Sequence, residues 1–342
     1  MLPIDKKILD EIAIKKEVNI YALCEEFNLS HKAIYGRIKR LIQNDMIERI
    51  EKGRYRLKYT HYSFALENKD LDESSVWEKS IVPVLPDMHE NARRVLVYAF
   101  TEMLNNAISH SGAERIGILL SVNAYKVNVA IIDNGIGIFK KIQQALHLDE
   151  EYYAVLELAK GKFTTDPDSH TGEGIFFTSK AADEFLILSD GLRFVNDNKK
   201  EHRSLLQGIE DVKENSEAAG TIVLIGVLCD HSASLKDVFE EYTQMPEEYG
   251  FNKTIVPVKL LGYGEQNPYF VSRSQAKRLL MRFESFENIL LDFEGIDEIG
   301  QGFADEIFRV FRNQHPNITI KVTNCSQDVM NMIYHVTGGA KL

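Results

Sequence analysis

The chain has 342 residues, with 40 Lys+Arg against 51 Asp+Glu, a formal charge of -11 and three cysteines. That length suggests roughly two domains, and 44% apolar residues exclude a disordered or low-complexity chain. The longest apolar stretch, Ile222 to Cys229, falls well short of the ~18 residues of a membrane span. The charged start MLPIDKKILDEI lacks the apolar stretch of a signal peptide. Cys24, Cys229 and Cys325 show no CxxC or Cys/His ligand spacing, so free thiols in a cytoplasmic protein without a membrane partner are expected.

The charge is uneven. Residues 1–60 hold thirteen Lys+Arg against nine Asp+Glu, a net +4, which leaves −15 for the remainder. Within this head, Ile8, Leu9 and Ile12 sit at helical spacing, and Leu23 and Phe27 mark a second helix. Ser30 is a good N-cap for a third helix over 31–44, whose buried stripe reads Ala33, Ile34, Ile38, Leu41 and Ile42. Residues 47–57 alternate around Gly53 as a β-hairpin does. Three helices and a hairpin resemble a winged helix-turn-helix. In that family the third helix enters the major groove and the wing touches phosphate, so the resemblance implies a DNA partner. Lys32, Tyr35, Arg37 and Lys39 on the third helix and Arg54 on the wing are the residues it implicates. A winged helix used only for protein contacts is the alternative.

Residues 61–84, polar and carrying Pro83, read as a connector into the next domain. The helix expected over 91–110 directs Glu102, Asn106 and His110 along one face. Buried Asn and Glu on a core-facing stripe are costly unless they meet a ligand or metal. Two strands, 115–122 and 126–132, then predict an antiparallel hairpin running into Asp133-Asn134-Gly135-Ile136-Gly137. Thr171-Gly172-Glu173-Gly174 opens a further helix, where amides and the helix dipole favour phosphate, and Gly220-Thr221 enters a strand.

Each motif alone is weak, but their order and spacing resemble the GHKL ATP-binding superfamily, which includes gyrase B, MutL, histidine kinases and anti-sigma-factor kinases. The resemblance covers about residues 85–230, within a domain expected over 85–235, and implies an α/β sandwich with a Bergerat-type site for ATP and Mg²⁺. It implies that Asn106 coordinates the metal and that Glu102 orients or deprotonates the attacking water, with Asn105 nearby. Asp133 would accept a hydrogen bond from the adenine amino group. Gly135 and Gly137 would allow close packing on the base, Thr171, Gly172 and Gly174 would meet phosphate, and Thr221 would reach the adenine side. The stretch 139–170 looks like the ATP lid, with Lys160 and Lys162 as candidate phosphate ligands. His61 and His89 lack a phosphoacceptor setting, which argues against a sensor histidine kinase.

From residue 250 to 342 strands and helices alternate, predicting a small α/β layer. The stretch Asp292 to Glu306 resembles a STAS-like domain, whose anti-anti-sigma members carry a phosphorylated serine at a loop-to-helix junction. That junction here reads Ile299-Gly300-Gln301-Gly302-Phe303, without a hydroxyl. This departure argues against cis phosphorylation and for docking to the ATPase module or a protein partner, with a structural cap or dimerisation unit as the alternative. The whole is thus expected to be a multidomain α/β chain. It would act as an ATP- and Mg²⁺-binding regulator on DNA, with a homodimer left open. The alternatives are a protein serine/threonine kinase acting on a separate partner and a non-hydrolysing ATP sensor.

Overall fold

The computed structural model describes residues 2–164, 172–196, 220–243, 251–265 and 268–339. The protein is mixed α/β and divides into two compact units, residues 1–138 with 178–235, and residues 139–177 with 236–342. Among the described residues, no helix is long and apolar enough to cross a membrane.

The first unit opens with α1 (Pro3–Lys15), α2 (Ile20–Glu26) and α3 (His31–Gln43). Asn19 caps α2 by accepting from Tyr21 N, and Ser30 caps α3 by accepting from Ala33 N, satisfying first-turn amides. Strands β1 (Val18–Asn19), β2 (Ile47–Glu51) and β3 (Arg54–Leu57) form a small antiparallel sheet in the order β1-β3-β2. Ile8, Ile12, Leu23, Ile34, Ile38 and Leu57 share one core. Ala33 and Ile42, expected in the α3 stripe, are exposed. Each lies one residue, roughly 100° around the helix, from the Ile34–Ile38–Leu41 line.

This head is not a free appendage of its unit. Tyr125 buries its ring in the head's core and donates its hydroxyl to Asp10 of α1. Lys6 of α1 pairs with Asp230 at 2.8 Å. Burial, with Asp10 adding to it, pushes the Tyr125 hydroxyl's pKa up, so it remains a donor across the ordinary pH range.

The large sheet is six-stranded and antiparallel throughout, in the order β4-β5-β6-β9-β7-β8. Its strands are β4 (Thr60–Glu67), β5 (Arg115–Val122), β6 (Lys126–Asp133), β7 (Glu184–Ser189), β8 (Leu192–Asn196) and β9 (Thr221–Leu228). The stretch expected to be a connector therefore begins with an edge strand, paired with β5 from Thr60↔Val122 to Glu67↔Arg115. Its alternation explains why: Tyr62, Phe64 and Leu66 turn one way and are half-buried, while polar neighbours take the exposed phase. A short helix, α4 (Glu73–Val76), leads on to Trp77, whose ring lies 5.4 Å from that of Phe100. Phe100 belongs to α5 (Glu90–His110), which packs on β6 and β9.

The second unit holds a three-stranded parallel sheet, β10 (Lys253–Pro257), β11 (Asn288–Asp292) and β12 (Thr319–Thr323), in that order. Its helices include α6 (Ile138–Leu146), α7 (Tyr153–Lys160), α8 (Gly174–Ala181) and α9 (Leu235–Glu241). Three more follow: α10 (Arg273–Leu280), α11 (opening at Gln301–Asp305 and continuing to Arg312–Gln314) and α12 (Gln327–Thr337). Ser272 opens α10 with a full capping box shared with Gln275.

The first unit runs to Leu235, and residues 139–177 group with the C-terminal layer instead. The cause is visible in packing. Phe176 packs against Phe251 and Tyr242, with ring centroids 4.4 and 5.0 Å away. Lys160 Nζ is buried and pairs with Glu157 Oε1 at 2.6 Å, while Arg282 holds Glu157 Oε2 at 3.1 Å. Arg282, in the left-handed region at φ 64, also donates to the carbonyls of Gly161 and Lys162 at 2.8 and 2.5 Å. Replacing Glu157 by Ala would strand two cations beside each other in this interior. It is expected to cost about 3–5 kcal/mol, read as a lower urea midpoint for the second unit.

Candidate functional site

The polar residues expected at a nucleotide pocket fall into two groups, one in each unit. In the first unit, Asp133 ends β6 and pairs in register with Thr221, the first residue of β9. It alternates in phase with Val127, Val129 and Ile131, all buried, whereas Ala130, Ile222 and Leu224 belong to a separate small cluster. Asp133 Oδ1 accepts from Gly135 N at 2.8 Å. Burial raises the Asp133 carboxyl above its ordinary pKa, and hydrogen bonds from Gly135 and Thr221 oppose that shift. Thr221 Oγ1 accepts from Ile138 N at 3.1 Å, so its hydroxyl fixes the chain leaving the Gly135–Gly137 turn.

The glycines of that turn serve the protein's own main chain. A Cβ on Gly135 would lie 2.2 Å from the Ser111 carbonyl oxygen, and Ile136 N donates to the same oxygen at 3.0 Å. A Cβ on Gly220 would lie 2.3 Å from the Gly135 carbonyl. Gly137, at φ +85, faces Ser189 Oγ and Asp190 Oδ2 so closely that a Cβ would stand 2.7 and 2.9 Å away. The reading of Gly135 and Gly137 as clearance for a flat ligand thus meets a stronger constraint. The ends of β6, β7, β9 and α5 already converge here, and a side chain would separate them.

Helix α5 carries Glu102 and Asn106, half-buried, beside the buried Met103, Leu104 and Ala107. Asn105 accepts from Ser109 Oγ at 3.0 Å. The helix ends at Ser111, whose hydroxyl donates to Ala107 O at 2.5 Å, so its carbonyl is held for the Gly135 turn. Ser111, Ser189 and Asp190 are the members sequence reasoning missed. Ser111-Gly112 after a long helix and Ser189-Asp190-Gly191 between two strands were the available turn signals.

Gly172 and Gly174 belong to the second unit. Gly172 has φ +71, and a Cβ there would lie 2.5 Å from the Phe163 backbone. Gly174 opens α8. Thr171 lies outside the described residues. Among the described residues no group of three or more His, Cys, Asp or Glu is arranged to hold a metal.

The two lysines expected near phosphate are committed elsewhere, which corrects that reading. Lys160 donates to Glu157 and, at 2.9 Å, to Met281 O. Lys162 donates to Ser285 O at 2.9 Å and sits over the Phe286 ring at 5.1 Å. In the head, Lys32, Tyr35 and Lys39 are exposed on α3. Arg37, by contrast, pairs with Asp5 at 2.8 Å, joined there by Arg40 at 3.3 Å. Arg54 is held by Glu17 and by Glu51, the latter at 2.7 Å. Two of the five residues implicated in DNA contact therefore have partners inside the head. His61 shares a hydrogen bond of 2.9 Å with Ser121, and His89 caps α5 by accepting from Asn91 N at 3.2 Å.

A family model, the STAS-like domain of unknown function (DUF4325), matches residues 275–330, from α10 into α12. No curated protein matches the chain.

Two expectations follow from this geometry. Gly135→Ala should lower the thermal midpoint of the first unit, because its Cβ meets backbone that cannot rotate away. Burial holds the Lys160 ammonium's pKa down to about 8, opposed mainly by Glu157. Between pH 8 and the free-lysine value of 10.5, the unfolded chain therefore binds a proton that the folded chain does not. Stability from this group rises across that window. Urea midpoints across it should climb more steeply for the native chain than for Lys160→Met.

Proposed function

We propose that this chain is a nucleotide-gated regulator: a GHKL-type ATP-binding module joined to a DNA-binding winged helix and to a STAS-like layer. The observation that carries this reading is the junction at the end of β6. Asp133, buried yet hydrogen-bonded, lies beside the Gly135–Gly137 turn with Thr221 paired opposite, and α5, which carries the half-buried Glu102 and Asn106, packs on β6 and β9 of the same sheet. A carboxylate in that position is suited to accept from an exocyclic amino group of a purine. Bound Mg²⁺ would neutralise and orient the ATP phosphates, and Asn106 is the side chain suited to hold it. Glu102 is the carboxylate on the same helix face suited to position a water.

The gating half of the proposal rests on how the second unit is built. Residues 139–177 connect the Gly135–Gly137 turn to Thr178 and are bound into the STAS-like layer by Arg282 and by the Phe176 cluster. A nucleotide that reorders this segment must move that layer with it, to the extent that it binds the two arrangements with different affinity. Transfer of phosphate to the chain's own STAS-like layer is disfavoured, since α11 begins at Gly300-Gln301-Gly302. Transfer to a separate protein remains the second reading.

The tests are direct. Asp133→Asn should weaken ATP binding at least tenfold by calorimetry, because the amide presents a donor where an acceptor is needed. Glu102→Gln should bind ATP as the native chain does and lose turnover. Binding should also fall on the acid side at a pH above the ordinary aspartate range, since protonating Asp133 removes the acceptor. With γ-labelled ATP, free phosphate marks an ATPase and labelled partner protein a kinase. A chain whose ATP affinity ignores Asp133→Asn contradicts the proposal.

A further inference from the structure

Helix α3 contains a residue that nothing among the described residues requires. Gly36 sits in the middle of its thirteen residues, exposed and with helical backbone. Glycine is usually demanded by a positive φ or by a close neighbour. Gly36 has neither, since a Cβ there would meet nothing within 4 Å. In a helix interior glycine is disfavoured relative to alanine, so its presence costs stability without an internal return.

Its surroundings indicate what the gap is for. Lys32 and Lys39 lie four residues before and three after it, on the same face. Among the described residues neither has a carboxylate partner, whereas Arg37 and Arg40 of the same helix are both paired with Asp5. The helix carries no acidic residue at all, although the chain as a whole has a charge of -11. Along one flank runs an aromatic column. Tyr35, 52% exposed, stacks on His31 at 6.2 Å, and His31 faces Tyr21, 65% exposed, at 5.4 Å.

We infer that Gly36 is a notch through which duplex DNA approaches the main chain of α3, with Lys32 and Lys39 gripping phosphates on either side of it. The inference rests on the DNA-binding reading above and adds the residue that sets the depth of approach. Charge complementarity selects the partner: an acid-free helix bearing two ammonium groups that have no carboxylate partner among the described residues suits a polyanion. Tyr35 and Tyr21 supply hydroxyl donors at the rim, as tyrosines commonly do to phosphate oxygens.

The test uses the full chain and a labelled random-sequence DNA duplex, followed by fluorescence anisotropy over a salt series. Gly36→Ala should weaken duplex binding at least tenfold while leaving the thermal midpoint unchanged or raised. Lys32→Gln and Lys39→Gln should each reduce the slope of log affinity against log salt by about one. Equal affinity of native chain and Gly36→Ala overturns the notch and leaves the DNA reading standing. A native chain that ignores the duplex at low salt overturns both. Weakened binding with a lowered midpoint gives Gly36 a structural role and overturns the inference. So does a change of oligomeric state in Gly36→Ala by light scattering, which assigns the face to a second copy.

Discussion

Main chain meets main chain at the end of β6, and the first unit is organised around that contact. Gly220 N donates to Asp133 O at 2.8 Å, and Ser189 Oγ donates to Gly220 O at 2.6 Å. Ser111 O receives Ile136 N. Three strand ends and one helix end are thereby stitched through backbone groups, which leaves no room for side chains at positions 135, 137 and 220. Asp133 is the one charged side chain that β6 brings to this junction, and its burial makes ionisation costly unless donors surround it. On the proposed reading, a rigid turn holding a desolvated acceptor would leave little ordering to be done when a ligand supplies a donor.

The second unit solves a different problem with charge. Glu157 and Lys160 are 1% and 0% exposed, and an isolated pair of this kind gains little over an apolar one. What justifies it here is connectivity. Arg282, Lys160 and Lys162 spend their remaining donors on the carbonyls of Gly161, Lys162, Met281 and Ser285. Thr254 of β10 adds a hydroxyl to Lys160 O at 2.8 Å. The ion network therefore captures the irregular chain after α7, which has no sheet or helix of its own to satisfy its backbone. An apolar replacement would fill the volume and leave those carbonyls unmet.

Periodicity made the regular elements legible. The 3.6-residue stripes of α1, α3 and α5 and the strands flanking Asn123-Ala124 stand where the pattern puts them. Burial was harder to read than element type. Lys160 ends α7 and Lys162 follows it ahead of a glycine box, a setting that suggests phosphate. Glu157 is a local partner, but the burial of the pair and the commitments to Met281 and Ser285 come from far along the chain. β4 was missed because half its residues are polar, which is what an edge strand exposed on one face carries. The allegiance of residues 139–177 was invisible for a related reason. It depends on Phe251, Tyr242 and Arg282, far along the chain, and no local pattern encodes a long-range partner.

The same limit governs the charge of the head, and there it sharpens the chemistry. A net +4 over residues 1–60 counts every cation alike. The fold does not: Asp5, buried on α1, takes both Arg37 and Arg40, and Lys15 pairs with Glu11. Arg54, Arg56 and Lys58 each have a carboxylate within the small sheet or beside it. These pairs are mostly exposed and contribute little to stability, yet each lowers the field the head projects. Arginine suits the buried task because its planar fork can meet a carboxylate and still lie against apolar neighbours, whereas lysine keeps a compact, mobile charge. On α3 the division follows that chemistry: both arginines pair with the buried Asp5, while the lysines stay outward. What a polyanion would meet is therefore the few ammonium groups that the fold has left unspent, not the sum of the charges.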